Sequence, residues 1–242
     1  MNKGFTLSEV LITLGIIGIV SAITIPAIIS NMQDKQNIVH WRKMYSVINQ
    51  AFLQTIEEGY SPCISDTYDR TCTSLIESAP KNLNIEFINN MLDKFNILQT
   101  CDTGNCYNGK IVWAPDYYHR YKTLAGGQIS SYNLSSYRVR LTTGELIMFG
   151  GSHGRHWISV DVDGFGNGKD TLGKDVFVMK VHDKYLKPMG AEGTFNKKKN
   201  GEICECSKNK GAVNENYIGG AGGNGEIASG ACCSAYYLLN DK

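Results

Sequence analysis

The chain has 242 residues, with 24 basic and 23 acidic side chains and a formal charge of +1. It is long enough to bury a core, and its charge balance leaves no global field to draw it onto nucleic acid or an anionic surface, so no specific nucleic-acid role is expected. With 26 glycines and 13 tyrosines against 5 prolines, the composition describes a folded body rich in loops and strands, not a disordered chain.

The first element is apolar. Met1-Asn2-Lys3-Gly4 leads into Phe5-Thr6-Leu7-Ser8, then the carboxylate Glu9, then an uncharged stretch that is densely apolar through Ile29. At ~1.5 Å per residue, Val10 to Ile29 reaches about 30 Å, the thickness of a bilayer core. Lys3 ahead of it favours a cytoplasmic N-terminus and export of everything that follows. The run is longer than the apolar part of a secretory signal and continues into a helical pattern, so cleavage behind it is not expected. A plain membrane anchor would account for the length and for Lys3. It would not account for Glu9, because a carboxylate at the edge of a membrane helix is costly and calls for a partner. Gly15, Gly18 and Ala22 allow close helix approach, and Pro26 removes one helical hydrogen bond, so a kink or break is expected there.

The stretch Lys3-Gly4-Phe5-Thr6-Leu7-Ser8-Glu9-Val10-Leu11 resembles the signal of type IV prepilins and type II secretion pseudopilins. The resemblance continues through Gly15, Gly18 and Pro26. It implies a prepilin peptidase that cuts after Gly4 and methylates the new amine on Phe5. It also implies that Glu9 pairs with such an amine, usually that of a neighbouring subunit, where opposite charges in low dielectric attract strongly. Gly18 through Pro26 would unwind in the assembled filament. The expected partners are like or unlike pilin-type subunits in a polymer, the peptidase and an inner-membrane assembly platform. The expected location is the bacterial inner membrane as a single-pass precursor, then a periplasmic or cell-surface filament.

Beyond Ser30, the positions Trp41, Tyr45, Ile48, Phe52 and Ile56 recur at helical spacing, which predicts an amphipathic continuation to about Glu58, with Gly59 as the C-terminal cap and Pro62 beyond it. One helix of about 54 residues, roughly 80 Å if straight, is therefore expected, its second half packed on the exported domain. Ile85, Ile88, Leu92 and Phe95 predict a second helix within 84–99. Alternation over 137–142, 145–149, 158–162 and 176–181, with Thr143-Gly144 as a hairpin turn, predicts four strands in an antiparallel meander. The fold class is thus α+β and pilin-like: a long N-terminal helix on an antiparallel sheet, with disulfide-stabilised loops. The parts are a leader over 1–4, a membrane and filament-core helix over 5–29, its amphipathic continuation over 30–58, and an exported domain over 59–242 extended from about residue 183.

Asp161-Val-Asp163-Gly164 and the following stretch to Asp175 collect four carboxylates and four glycines between two predicted strands. Hard oxygen donors on tight turns suit calcium. Phe165 and Leu172 stand where an EF-hand would need ligands, so it is not that motif. It resembles the C-terminal loop of major pseudopilins, which is associated with calcium. The resemblance offers Asp161, Asp163, Asn167, Asp170 and Asp175 as the ligand pool, against the alternative of a solvated turn.

The eight cysteines, Cys63, Cys72, Cys101, Cys106, Cys204, Cys206, Cys232 and Cys233, suit disulfides in an exported chain. Cys63 with Cys72 and Cys101 with Cys106 are the expected local bridges, and Cys204 or Cys206 with Cys232 or Cys233 would hold the tail. Their spacing does not suit a zinc knuckle. His153 and His156 lack an accompanying catalytic motif, and 219–225 has the glycines of a phosphate loop without its lysine, so no enzyme is expected. The function expected is a filament subunit, either a type II secretion pseudopilin or a minor or specialised pilin. The alternative is a membrane-tethered binding domain that does not polymerise.

Overall fold

The computed structural model describes residues 6–62, 85–101, 106–107, 110–111, 121–127, 129, 137–152, 155–164, 170–182, 184–192, 194, 206–207 and 229–239. The stem is one helix, α1 (Leu7–Glu57), capped at its end by Gly59 at φ +95°. It runs through Pro26 without a break. The break expected as one outcome at this proline is therefore absent: one missing hydrogen bond is tolerated when the turns on both sides keep theirs. The unwinding implied for assembled subunits is likewise absent from the lone chain.

The two halves of α1 differ in what covers them. Leu7, Ile12, Ile16, Ile19 and Ile23 are 58–78% exposed, and none of the most apolar stretch is covered by protein. From Trp41 onward one stripe is buried, comprising Trp41, Met44, Ile48, Ala51, Phe52 and Thr55. These residues repeat at three- and four-residue steps, so they lie on one side of the cylinder. The buried Thr55 hydroxyl donates back to Ala51 O at 2.8 Å, so the stripe leaves no orphan donor there.

The second helix, α2 (Ile85–Leu92), is shorter than expected. It ends in a turn at Asp93-Lys94, and Ile97–Cys101 becomes an edge strand, β1, paired with β4 (Tyr137–Leu141). The apolar spacing in 95–99 fitted a helix by period, but ladder hydrogen bonds to β4 are the stronger claim on that backbone. A two-stranded hairpin pairs β2 (Cys106–Tyr107) with β3 (Lys110–Ile111). The main sheet has six antiparallel strands, not four, in the order β1-β4-β5-β6-β7-β8, where β5 is Leu146–Ser152, β6 Arg155–Asp161, β7 Val176–Val181 and β8 Leu186–Pro188. The Thr143-Gly144 turn between β4 and β5 is present, with Gly144 at φ +109°.

Both faces of the sheet are buried. Val139, Ile147, Phe149, Ile158, Val160, Phe177 and Met179 face α1 and α2 in one core. Leu146, Met148, Trp157, Val176 and Val178 face a second core closed by Tyr121, Ile129, Leu172, Met189 and Ala231. Burial on two faces explains why β5 and β7 carry unbroken apolar runs alongside the expected alternation.

A short helix, α3 (Cys233–Leu239), had no counterpart among the expected elements. It wedges between stem and sheet: Trp41 Nε1 donates to Ser234 O at 3.0 Å, and the Val178 amide donates to Ser234 Oγ at 2.8 Å. Trp41 stacks on Phe177 at 5.0 Å between ring centroids, and Phe177 meets Tyr237 edge-on at 6.1 Å. A bridge between Cys206 and Cys233 holds the front of α3, in keeping with the expected tie between these two groups of cysteines. Cys232 is disulfide-bonded as well. Cys63, Cys72 and Cys204, and the side chains of Cys101 and Cys106, lie outside the described residues.

Trp41 has no exposed surface and joins stem, sheet and α3. Trp41→Ala should cost about 3–5 kcal/mol in chemical denaturation of the detergent-solubilised chain, as for other buried aromatic truncations. Val39→Ala on the exposed side should stay within about 0.5 kcal/mol. Equal effects would show that the stem does not dock through this stripe.

Candidate functional site

Two regions gather chemistry, the head of α1 and the turn between β6 and β7. At the head, Thr6 is the N-cap of α1. Its amide and its hydroxyl donate to Glu9 Oε2 at 2.8 and 2.7 Å, and the Glu9 amide donates to Thr6 Oγ1 at 3.3 Å. This reciprocal capping box satisfies donors that the first helical turn leaves open, and it places the carboxylate at the positive end of the helix dipole. In the lone chain Glu9 is therefore not a bare charge, as the resemblance alone would suggest, but is bonded to its own helix start. The Thr-x-x-Glu spacing of Thr6 and Glu9 is a signal from which this contact could have been read. Gly4 and Phe5 lie outside the described residues. Gly15 and Gly18 sit on the uncovered half of α1, with nothing within 4 Å of a Cβ built at either position.

The acidic turn is assembled from two sides. Asp161 ends β6, where its Oδ1 accepts the Gly164 amide at 3.0 Å. Gly164 adopts φ +79°, and a Cβ there would lie 2.4 Å from Gly144 O, so glycine is required where this turn crosses the β4–β5 hairpin. Asp170 and Asp175 come from the other side, a turn that leads into β7. The Thr171 amide donates to Asp175 Oδ1, and the Val162 amide donates to Asp175 O at 2.9 Å. Gly173 at φ +86° would place a Cβ 2.7 Å from Gly230 O and 2.8 Å from Cys233 Sγ, so the disulfide-held tail packs directly on this turn.

Asp161, Asp163 and Asp170 each offer one oxygen within 4.8 Å of the others. Oxygens about 2.4 Å from a shared cation can lie no more than about 5 Å apart, so this spacing fits one hard ion. Asp161 and Asp170 are fully buried, and Asp161 Oδ2 has no hydrogen-bond donor among the described residues. Burial, and then the charge of Asp170, push the Asp161 carboxyl well above its ordinary range. Burial pushes Asp175 up to about 7, against the lowering effect of the Thr171 amide and with Asp163 and Asp170 adding to the rise. Four carboxylates packed in this way without a cation repel one another, and an all-oxygen donor set is the kind that takes a hard divalent ion. The structure thus brings three of the five residues in the ligand pool to shared-ion spacing, with Asp175 near enough to interact with them by charge. Asn167 lies outside the described residues, as does His153, while His156 is placed only as a backbone position in β6.

A polar cleft of about 850 Å³ opens beside the turn, between it and the stem. Its two lysines, Lys122 and Lys174, are too far apart in the chain to be read as a pair from their spacing. Lys174 Nζ lies 3.6 Å from Asp34 Oδ2 on α1, which ties the turn to the stem. Lys122 is held by the same turn: its amide donates to Asp170 O at 2.9 Å and its carbonyl accepts the Leu172 amide at 2.8 Å.

Residues 1–25 match the family described as the Prokaryotic N-terminal methylation motif. This is the prepilin-type signal of type IV pilins and pseudopilins, and it supports a pilin-like substrate of prepilin peptidase. No curated protein and no solved structure matches the chain. Together with an α1 long and apolar enough to cross a membrane, the signal fits a single-pass precursor anchored at its N-terminus.

Proposed function

We propose that the chain is a structural, non-enzymatic subunit of a type IV pilin-like filament. It is held in the inner membrane until prepilin peptidase cuts after Gly4 and methylates Phe5, and it then polymerises with like subunits on an assembly platform. The observation that carries this reading is the match of the methylation motif to the one half of α1 that no protein covers. That half needs lipid before assembly and neighbouring stems after it. Glu9 supplies the exchange: its carboxylate leaves the hydrogen bonds of Thr6 for the cationic amine of a neighbouring Phe5, a charged contact that is far stronger away from water. The acidic turn supports a type II secretion pseudopilin, and the disulfide-held extension supports a minor or specialised pilin. The periplasm or the cell surface is the corresponding destination. Glu9→Ala should insert and be processed at the parental rate, yet yield no filaments by electron microscopy of sheared fractions. Parental filament yield from this variant would remove the role given to Glu9.

The acidic turn is proposed to hold calcium through Asp161, Asp163, Asp170 and Asp175, with backbone carbonyls completing the shell. What supports this is the shared spacing of three carboxylates and the donor-free oxygen of buried Asp161. The ion would fasten β6 to β7 by neutralising charge that the fold otherwise forces together. The pH dependence has a defined sign. Asp175 titrates near 7 when folded, against about 3.9 for a free aspartate, so the metal-free fold binds the extra proton. The stability linked to that proton is fully present below about pH 4 and is lost as the pH rises through about 7. In chelator, Tm should therefore fall between pH 5 and pH 8, and calcium should raise Tm most at pH 8, because a ligand of the folded state alone must stabilise it. A flat calcium titration at pH 8 would remove the ion.

A further inference from the structure

The cleft beside the acidic turn begins where the apolar half of α1 ends. Ser30, the first residue after Ile29, lines it, followed along the stem by Gln33, Asp34, Asn37 and His40. A run from Val10 to Ile29 fills a hydrocarbon core of about 30 Å, and the headgroup layer adds roughly 5–8 Å on each side. The rise from Ile29 to Asp34 is about 7.5 Å. Whenever the apolar half of α1 crosses a bilayer, the mouth of the cleft therefore lies among the headgroups.

The opposite wall contributes Lys122, Thr143 and Lys174 together with Glu145, Asp163 and Asp175. Its volume falls within the range of about 300–1,000 Å³ seen for small-molecule sites. Both signs of charge meet in it. Lys174 and Asp34 face each other across the cleft at 3.6 Å with their side chains 39% and 44% exposed, so a ligand can reach both. The Lys122 backbone is fixed by two hydrogen bonds to the turn, which sets where its side chain starts on the cleft wall. A purely anionic ligand would meet the carboxylates of Asp34, Asp163 and Asp175. A ligand with an ammonium next to its phosphate would find a partner for each charge.

We infer that this cleft binds the headgroup of a zwitterionic phospholipid, with the phosphate on Lys122 and Lys174 and the ammonium on Asp34. The inference rests on the membrane-held state of the proposed subunit and does not require calcium in the turn. In that state the lipid fixes the height and rotation of the exported domain against the bilayer. Extraction into a filament strips the headgroup away and returns the cleft walls to water or to a neighbouring subunit.

The test uses the processed full-length chain in nanodiscs made from equal parts of phosphatidylethanolamine and phosphatidylglycerol, released into mild detergent and weighed by native mass spectrometry. The expected result is one retained phospholipid per chain, with phosphatidylethanolamine favoured about fivefold or more, and about tenfold less retention by the double variant Lys122→Ala/Lys174→Ala. The double variant removes one partly exposed ion pair, so Tm should fall by no more than the loss of about 1 kcal/mol or less allows. Retained lipid that mirrors the bulk mixture, or equal retention by the double variant, would overturn the site. So would complete displacement of the lipid by inorganic phosphate with no advantage for glycerophosphoethanolamine, which would assign the cleft to a free anion. A chain that fails to enter the nanodisc would overturn the membrane-held state itself, which separates the two failures.

Discussion

One helix has to satisfy two different surroundings, and the rest of the structure follows from where it changes over. From Trp41 onward, α1 has a buried stripe, stacked on Phe177 and bonded to Ser234. In its most apolar stretch, well before that point, no residue is covered by protein. The conformational cost of a helix this long is offset along its second half by burial against the sheet. Its first half depends on an apolar medium, because no water-facing arrangement accommodates so many exposed branched side chains. An N-terminal anchor fits that division.

The tail ties this stem to the acidic turn. Helix α3 reaches α1 through Trp41 and Arg42, reaches β7 through Ser234 and reaches the loop after β8 through Ala235 and Met189. The same segment presses Gly230 and Cys233 onto Leu172 and Gly173. The bridge between Cys206 and Cys233 shortens the tail in the unfolded chain and so favours this packing. Stem docking, closure of the second core and the shape of the carboxylate turn therefore depend on one another. Lys174 adds a direct link, from the turn to Asp34 just beyond the apolar stretch. This arrangement puts the acidic turn and the cleft of the globular domain beside the part of the stem just beyond its apolar stretch.

The parts legible in the sequence are those set by local period or by a short motif. The stem, its cap at Gly59, the β4–β5 hairpin and the strands β4 to β7 follow from spacing and turn chemistry alone. Four of the carboxylates gathered at the turn were legible from their density in one loop. Other features were set by partners far away in the chain. Ile97–Cys101 carries a helix-compatible pattern and becomes a strand because β4 is beside it. Helix α3 is too short to announce itself, and its Ser234 meets Val178 across a sequence separation of 56. The choice of Cys206 for Cys233 is likewise made in space. The cleft draws its walls from the stem and four separate loops or turns, so no window of sequence contains it. The capping box is also a local motif, Thr6 and Glu9 at Thr-x-x-Glu spacing, in which the carboxylate that reads as a membrane charge is half of a cap.

The central claim is that the N-terminus is a cleavable, modifiable head on a stem made to leave the membrane. Intact mass and N-terminal sequencing of the native protein test it directly. Loss of Met1 through Gly4 and a methylated amine on Phe5 are the predicted result. A native chain that still begins at Met1 would contradict the account.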